Sequence, residues 1–208
     1  IYMPCDSPDS EFFKVFTEKR KELGISIIAT WSDFRRHGDI FEEADIIITN
    51  PPFSQYRDFY DIIKAYDKDF IIVGPSLSYS YKNTERDVIE GRYKNFMDID
   101  YFTRPDGTRA RLGNATKWFT NIEDLKQEVS ISEKITGEPV YYKDDNGQTI
   151  VDRLKNIPLD YDGVLAVPLT FLQYSHEEWD ILSTRYKPKK DGKNLFRRVL
   201  IKRKGDSL

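Results

Sequence analysis

Four consecutive residues, Asn50-Pro51-Pro52-Phe53, set a side-chain amide, two rigid rings and a flat aromatic face directly behind the apolar run Ile46-Ile47-Ile48. An amino group on a heteroaromatic ring carries two N–H donors. The Asn50 side-chain oxygen and the Pro51 carbonyl can accept both, which holds the nitrogen and favours its lone pair for attack on an electrophilic methyl. The two prolines fix those acceptors before a substrate arrives, and Phe53 offers a face to a base swung out of its helix. Asn-Pro also starts ordinary turns. Placement after a wholly apolar strand favours the chemical reading.

Other positions could hold the partner of such a reaction. In Gly38-Asp39-Ile40, one short loop before the apolar strand, Asp39 can accept from the exocyclic amine of a bound adenosine while Ile40 packs on its ring. Cys5-Asp6-Ser7-Pro8 closes a first strand and opens a helix, so its backbone N–H groups and Asp6 face the crevice where a cofactor carboxylate or amino group docks. The competing reading makes Asp6 a helix-capping residue, and no glycine-rich loop is present. Cys5 reads as a small buried hydrophobe rather than a nucleophile, since neither histidine is near it in sequence. Thr30-Trp31 ends a second strand, with Asp33 slightly late for a ribose contact and Trp31 either core or pocket wall. His37 and His176 stand apart from one another and read as surface residues, so no metal site is expected.

The elements that must position these residues alternate short apolar runs with helical patterns, the signature of strand-helix units on a parallel sheet. Strands are expected over Ile1 to Cys5, Ile25 to Thr30, Ala44 to Thr49 and Phe70 to Val73. A helix is expected from about Asp9 to Leu23, capped by Asp6-Ser7-Pro8 and stopped by Gly24, and another from Gln55 to Tyr66 with Phe59, Ile62 and Ile63 inward. Beyond about residue 92 the texture changes. Tyr93 to Phe102, Arg109 to Thr120 and Val140 to Tyr142 read as strands split by the turns Pro105-Asp106-Gly107 and Asp145-Asn146-Gly147. Leu165 to Phe171 and Phe196 to Lys202 add two more, with a capped short helix from Ser175 to Leu182. This half reads as antiparallel, with Trp118-Phe119-Thr120-Asn121 and Trp179 in its core. The division expected is a part over 1–92 that holds the candidate site residues and a part over 93–208 that completes the sheet, within what can also be one continuous domain.

With 208 residues, 39% of them hydrophobic, the chain can bury a full core, and no apolar run nears the ~20 residues that span a bilayer. A single cysteine excludes an internal disulfide and a cysteine-based zinc cluster, and the lack of a signal-like start points to the cytoplasm. The formal charge of −3 does not advertise a nucleic-acid binder, yet Arg185 to Lys204 holds ten Lys or Arg against Asp191 alone. That run is either a phosphate-facing surface or a solvated terminal strand. Ile1-Tyr2-Met3 reads like the middle of a buried strand, so a further segment is expected to precede it.

Taken in order, these residues resemble the EcoRI-methylase-like adenine-specific DNA methyltransferases. The resemblance runs through Tyr2 with Cys5-Asp6-Ser7-Pro8 and Phe12-Phe13, Gly38-Asp39-Ile40 with Ala44-Asp45-Ile46, Asn50 to Ser54, Ile71-Ile72-Val73-Gly74, Pro105-Asp106-Gly107, Trp118 to Asn121, Ile157-Pro158 with Asp160 to Gly163, and Val167 to Leu172. It implies an α/β, Rossmann-like S-adenosylmethionine-dependent methyltransferase fold with an antiparallel-rich C-terminal half, S-adenosylmethionine as methyl donor, and N6 of a DNA adenine as acceptor. It assigns Asn50, Pro51, Pro52 and Phe53 to catalysis, Cys5, Asp6 and Ser7 to the first-strand cofactor loop, and Asp39 and Ile40 to the adenosine. Gly38, Thr30 and Trp31 complete the expected cofactor site. Gly74 to Tyr79 departs from the amide-rich stretch the resemblance implies. Methylation of cytosine N4, or of an amide or RNA-base nitrogen, uses similar donors, and a non-catalytic nucleic-acid-binding remnant is the alternative from another class.

Overall fold

Alternating strands and helices build the first half of the chain because its apolar runs are too short for anything but buried strands and its helices have one oily face each. The computed structural model describes residues 1–99, 101–103, 106–111, 115–125 and 129–205. Pro105 of the expected turn, and 100 and 112–114 of the expected strands, lie outside the described residues. Two compact units emerge, Ile1–Ser76 with Met97–Glu123, and Leu77–Phe96 with Asp124–Leu208.

In the first unit the chain runs β1 (Tyr2–Met3), α1 (Glu11–Leu23), β2 (Ile28–Ala29), α2 (Gly38–Glu43), β3 (Ile46–Thr49), α3 (Tyr56–Ala65) and β4 (Asp69–Pro75). It re-enters at the end of β5 (Lys94–Asp98), of which Met97 and Asp98 belong to this unit, makes the ribbon β6 (Tyr101–Thr103) and β7 (Arg109–Arg111), and closes on β8 (Thr116–Thr120). The sheet order is β2-β1-β3-β4-β8-β5, with β2, β1, β3 and β4 parallel and β8 antiparallel to β4. Ile47, Ile48 and Thr49 are buried, as a strand covered on both faces requires. Helix α3 buries Tyr56, Phe59, Tyr60 and Ile63, a 3–4 spacing that makes a single stripe. Aromatic rings fill the space behind it: Phe34 meets Phe59 edge-on at 5.0 Å, Tyr2 meets Phe41 at 5.0 Å, and Tyr60 meets Phe70 at 5.8 Å. Burying each such ring is worth about 1.5–3 kcal/mol.

Three local expectations change here. Strand β1 is only two residues long, because after Met3 the chain turns and Asp6 N–H bonds back to the Met3 carbonyl. Helix α1 is capped not by Asp6-Ser7-Pro8 but by Ser10, whose hydroxyl accepts from Phe13 N–H at 3.0 Å. Trp118 and Phe119 pack in this unit, Trp118 5.0 Å from Phe12, because β8 joins β4 rather than the second sheet.

The second unit holds α4 (Glu85–Ile89) and a sheet of β9 (Tyr142–Lys143), β10 (Thr149–Ile150), β11 (Leu165–Pro168), β12 (Trp179–Tyr186) and β15 (Arg198–Arg203), in the order β12-β15-β11-β10-β9. A small hairpin of β13 (Lys189–Lys190) and β14 (Lys193–Asn194) lies between β12 and β15 in sequence. Neighbours are antiparallel except β10 and β11, which are parallel, so the antiparallel reading of this half holds for most pairs and not all. The short helix expected over Ser175 to Leu182 is instead a bridge at Ser175 and a turn that lead into β12 at Trp179. Ser175 and Glu178 mimic a capping box, but Trp179 and Ile181 are buried while Asp180 and Leu182 are exposed, a period of two that pairing with β15 enforces. His176 is half-buried with its ring 5.2 Å from Phe171, not a surface residue, and burial lowers its pKa. Several basic residues of the tail are committed to structure: Arg198 is buried on Asp152 at 2.8 Å, and Arg197 donates to the Ser80 carbonyl at 2.8 Å. Among the described residues no helix is long and apolar enough to cross a membrane.

Candidate functional site

Strand β1 lies between β2 and β3, so the chain leaves β1 to one side and returns to it on the other. At such a reversal the loops leaving neighbouring strands diverge and open a crevice beyond their carboxyl ends, where ligands of open α/β sheets collect. Three predicted segments end there: Cys5 to Ser7 after β1, Thr30-Trp31 after β2, and Asn50 to Phe53 after β3.

The first and third are tied directly. Thr49, the last residue of β3, donates its hydroxyl to Asp6 Oδ2 at 2.5 Å and accepts from Cys5 N–H at 3.2 Å. Asp6 also accepts from Ser10 Oγ at 3.2 Å, and the backbone N–H of Asn50 acts on its carboxylate to lower its pKa slightly. Its carboxylate is buried, and burial outweighs these hydrogen bonds and raises its pKa above the ordinary carboxylate value. Asp6 therefore faces protein on both oxygens and works as a brace that fixes where β3 hands over to Asn50. The same burial pushes the Cys5 thiol up to about 12, which removes it as a nucleophile at neutral pH. Ser7 contributes its carbonyl to a turn closed by Ser10 N–H at 3.0 Å. Sequence reasoning missed Thr49, although a lone hydroxyl ending an all-isoleucine strand is a usable signal.

Asn50 is exposed, and among the described residues its side-chain amide makes no hydrogen bond. Pro51 is buried and Pro52 exposed, and the Pro52 carbonyl accepts from Gln55 N–H at 2.9 Å in the turn that starts α3. Phe53 is 44% exposed, its ring edge-on to Tyr56 at 6.5 Å. Tyr56 in turn lies against Gly74 on β4, where a Cβ would strike its ring, so the helix leaving the Asn50 loop is seated on a strand that must have glycine there.

On the other side of β1, Thr30 is spent internally: its hydroxyl pairs with Tyr2 OH at 3.0 Å and reaches the Pro4 carbonyl at 3.4 Å. Trp31 takes a left-handed backbone, φ 38°, a strain of about 1–3 kcal/mol for such a residue, and its indole is 70% exposed. It is not core. Asp33 bonds Arg35 N–H and its guanidinium, each at 3.2 Å, and caps a short 3-10 turn. Asp39 sits exposed in the first turn of α2, with no hydrogen bond to its carboxylate among the described residues; the Tyr2 phenol is raised chiefly by burial, with the Asp39 charge adding to it. Ile40 is half-buried beside it, and Gly38 admits the Tyr66 hydroxyl to 2.5 Å from where a Cβ would stand. An exposed carboxylate can accept from an amine and an exposed indole can pack on a ring, the two kinds of contact an adenosine offers.

The sequence model of the family described as adenine-specific methyltransferase EcoRI matches residues 27–206. The chain is 32% identical to the type II methyltransferase M.EcoRI of Escherichia coli over 88% of its own length and 65% of the relative. It is 27% identical to M.MpnI of Mycoplasma pneumoniae and 26% to M.MgeORF184P of Mycoplasma genitalium, in each case over 72% of this chain, and over 54% and 55% of those relatives. It thus spans between about half and two thirds of the length of these curated relatives. No solved structure matches it. With a mixed α/β fold and a family match covering most of its residues, the chain belongs to the EcoRI-type adenine-specific methyltransferase family.

Proposed function

We propose that this chain carries the catalytic centre of a DNA adenine-N6 methyltransferase of Rossmann-like fold, with cofactor and catalytic residues drawn from 1–92 and DNA recognition from 93–208. The observation that carries the reading is the state of Asn50. Its backbone directly follows Thr49, which is hydrogen-bonded to Asp6, while its amide is exposed and, among the described residues, unpaired beyond the end of a buried strand. An acceptor held that way is preorganised for an incoming amine and needs no rearrangement when charge develops on it.

S-adenosylmethionine supplies an electrophilic methyl when bound. Asp39 accepts from its adenine amine, Ile40 and Trp31 offer apolar surface to the ring, and the Cys5 to Ser7 loop with Thr30 and Gly38 shapes the floor. Asn50 Oδ1 and the Pro51 carbonyl accept the two N–H groups of the target adenine, which keeps its N6 lone pair directed outward. Phe53 stacks on the extruded base, and Pro51 and Pro52 stop the loop from following it. The nitrogen loses its proton readily once alkylated, so these residues need only position and polarise.

The test uses the full-length protein. Calorimetric titration with S-adenosylmethionine should show binding, and plasmid DNA incubated with both should acquire N6-methyladenine at one recurring sequence when modified bases are mapped. Cofactor binding with modification only of cytosine, or of no base at all, would overturn the assignment.

A further inference from the structure

The ribbon of β6 and β7 forms a sheet of its own, with Tyr101 opposite Arg111 and Phe102 opposite Ala110. A strand normally turns its apolar side chains to one covered face. Here Tyr101 and Phe102, adjacent and so on opposite faces, are 56% and 50% exposed. The Arg109 guanidinium lies 6.0 Å from the Tyr101 ring centre, and Arg111 is exposed. From 101 to 111 the sequence carries Arg104, Arg109 and Arg111 against Asp106 alone.

The strands that flank this ribbon in sequence are tied to each other. Lys117, at the start of β8, is fully buried and donates to Asp98, at the end of β5, at 2.7 Å. This contact ties β8 to β5, the strands on either side of the ribbon in sequence. Thr116 is opposite Pro75, the last residue of β4. Strand β8 therefore begins beside the carboxyl end of a parallel strand, at the edge of the sheet where β3 hands over to Asn50.

We propose that Tyr101, Phe102, Arg109 and Arg111 form a duplex-DNA contact that presents the target base to Asn50. The reading rests on the DNA methyltransferase assignment above. A two-stranded ribbon fits the major groove of B-DNA, the arginines match its phosphates, and the two rings supply faces that bases can stack on. An apolar protein partner would leave the arginines unpaired, and a lipid surface would favour aromatic residues on one face only.

The experiment compares full-length parent, Tyr101→Ala/Phe102→Ala and Arg109→Gln/Arg111→Gln on a duplex containing the sequence methylated by the parent. Loss of the ring pair should weaken duplex binding roughly ten- to a hundredfold. Loss of the arginine pair should flatten the dependence of log affinity on log salt by about 2. Cofactor affinity should stay within about twofold in both. If the ring variant also lost cofactor binding, the salt slope of the arginine variant would decide alone. A parent that methylates DNA while both variants keep its duplex affinity and salt slope overturns the ribbon contact by itself. A parent that neither binds S-adenosylmethionine nor methylates DNA overturns the parent assignment, and the ribbon contact with it.

Discussion

Polar groups at the handover from β1 and β3 are paired with one another, whereas those at Asn50, Asp39 and Trp31 are left to solvent. Cys5, Thr49, Asp6 and Ser10 form a chain of hydrogen bonds in which each carboxylate oxygen of Asp6 has a donor. Asn50 follows directly on Thr49 of that chain, and its side-chain amide makes no hydrogen bond among the described residues. The difference separates two kinds of work that adjacent residues do. The closed set holds a backbone in place, and the open set is available to something that is not protein.

That separation can be broken most sharply at Asn50. In Asn50→Ala only the open acceptor goes, so single-turnover methylation should fall by about a hundredfold or more, with cofactor affinity and unfolding midpoint close to the parent. Near-normal turnover would show that the exposed amide is idle.

The closed set should respond the other way round. Thr49→Val keeps shape but deletes the hydroxyl between Asp6 and Cys5, leaving a buried carboxylate short of a donor, and should cost about 1–3 kcal/mol in urea unfolding. Methylation should suffer only as far as Asn50 loses its fixed start. A large loss of rate at unchanged stability would place Thr49 among the open residues.

A smaller contrast of the same kind divides the basic tail. Lys187→Gln, Lys189→Gln and Lys193→Gln together change exposed side chains, and the salt slope of DNA binding should fall by about one for each of these lysines that neutralises a phosphate in the parent. Arg198→Gln should instead destabilise, because that guanidinium is buried on Asp152. Equal effects on salt slope from both would erase the distinction.

The smallest expected effect is on pH dependence. Burial raises Asp6 above its unfolded value, so the folded chain holds that proton more tightly than the unfolded one. Its contribution to stability is then fully present below the unfolded pKa, about 4, and is lost as pH rises through the higher folded value. Relative to Asp6→Asn, which does not titrate, the native chain should gain stability on acidification from neutrality. Urea unfolding of both at several pH values checks the sign, and a relative loss on acidification would mean that the hydrogen bonds outweigh burial.

How much of this is legible in the sequence depends on how local the cause is. Ile46 to Ile48 followed by Asn50-Pro51-Pro52 announces a buried strand and its stop within one short span, and β3 and α3 appear almost where that pattern puts them. Gly24 ends α1 as its position promises. The Asp6–Thr49 brace joins residues 43 apart, so no spacing rule could reveal it. The start of β12 is disguised because Ser175 and Glu178 satisfy a helix-capping pattern locally, while the partner that makes a strand, β15, lies some twenty residues on. Trp118 and Phe119 carry no mark of which sheet they join, since β8 is antiparallel to a strand on the far side of a whole inserted segment.

That late arrival of β8 has a consequence for synthesis. When Asp69–Pro75 emerges from the ribosome, one edge of β4 can pair with β3, but its other neighbour is encoded roughly 40 residues later. At ~5–20 residues per second the nascent chain carries an open, apolar strand edge for a few seconds. During that interval Ile72 and Val73 offer a template to any extended segment nearby, including another nascent copy. Fast growth and crowded polysomes are therefore the conditions under which this chain most needs a holding chaperone, and slowing translation between codons 76 and 116 would lengthen the exposure rather than help folding.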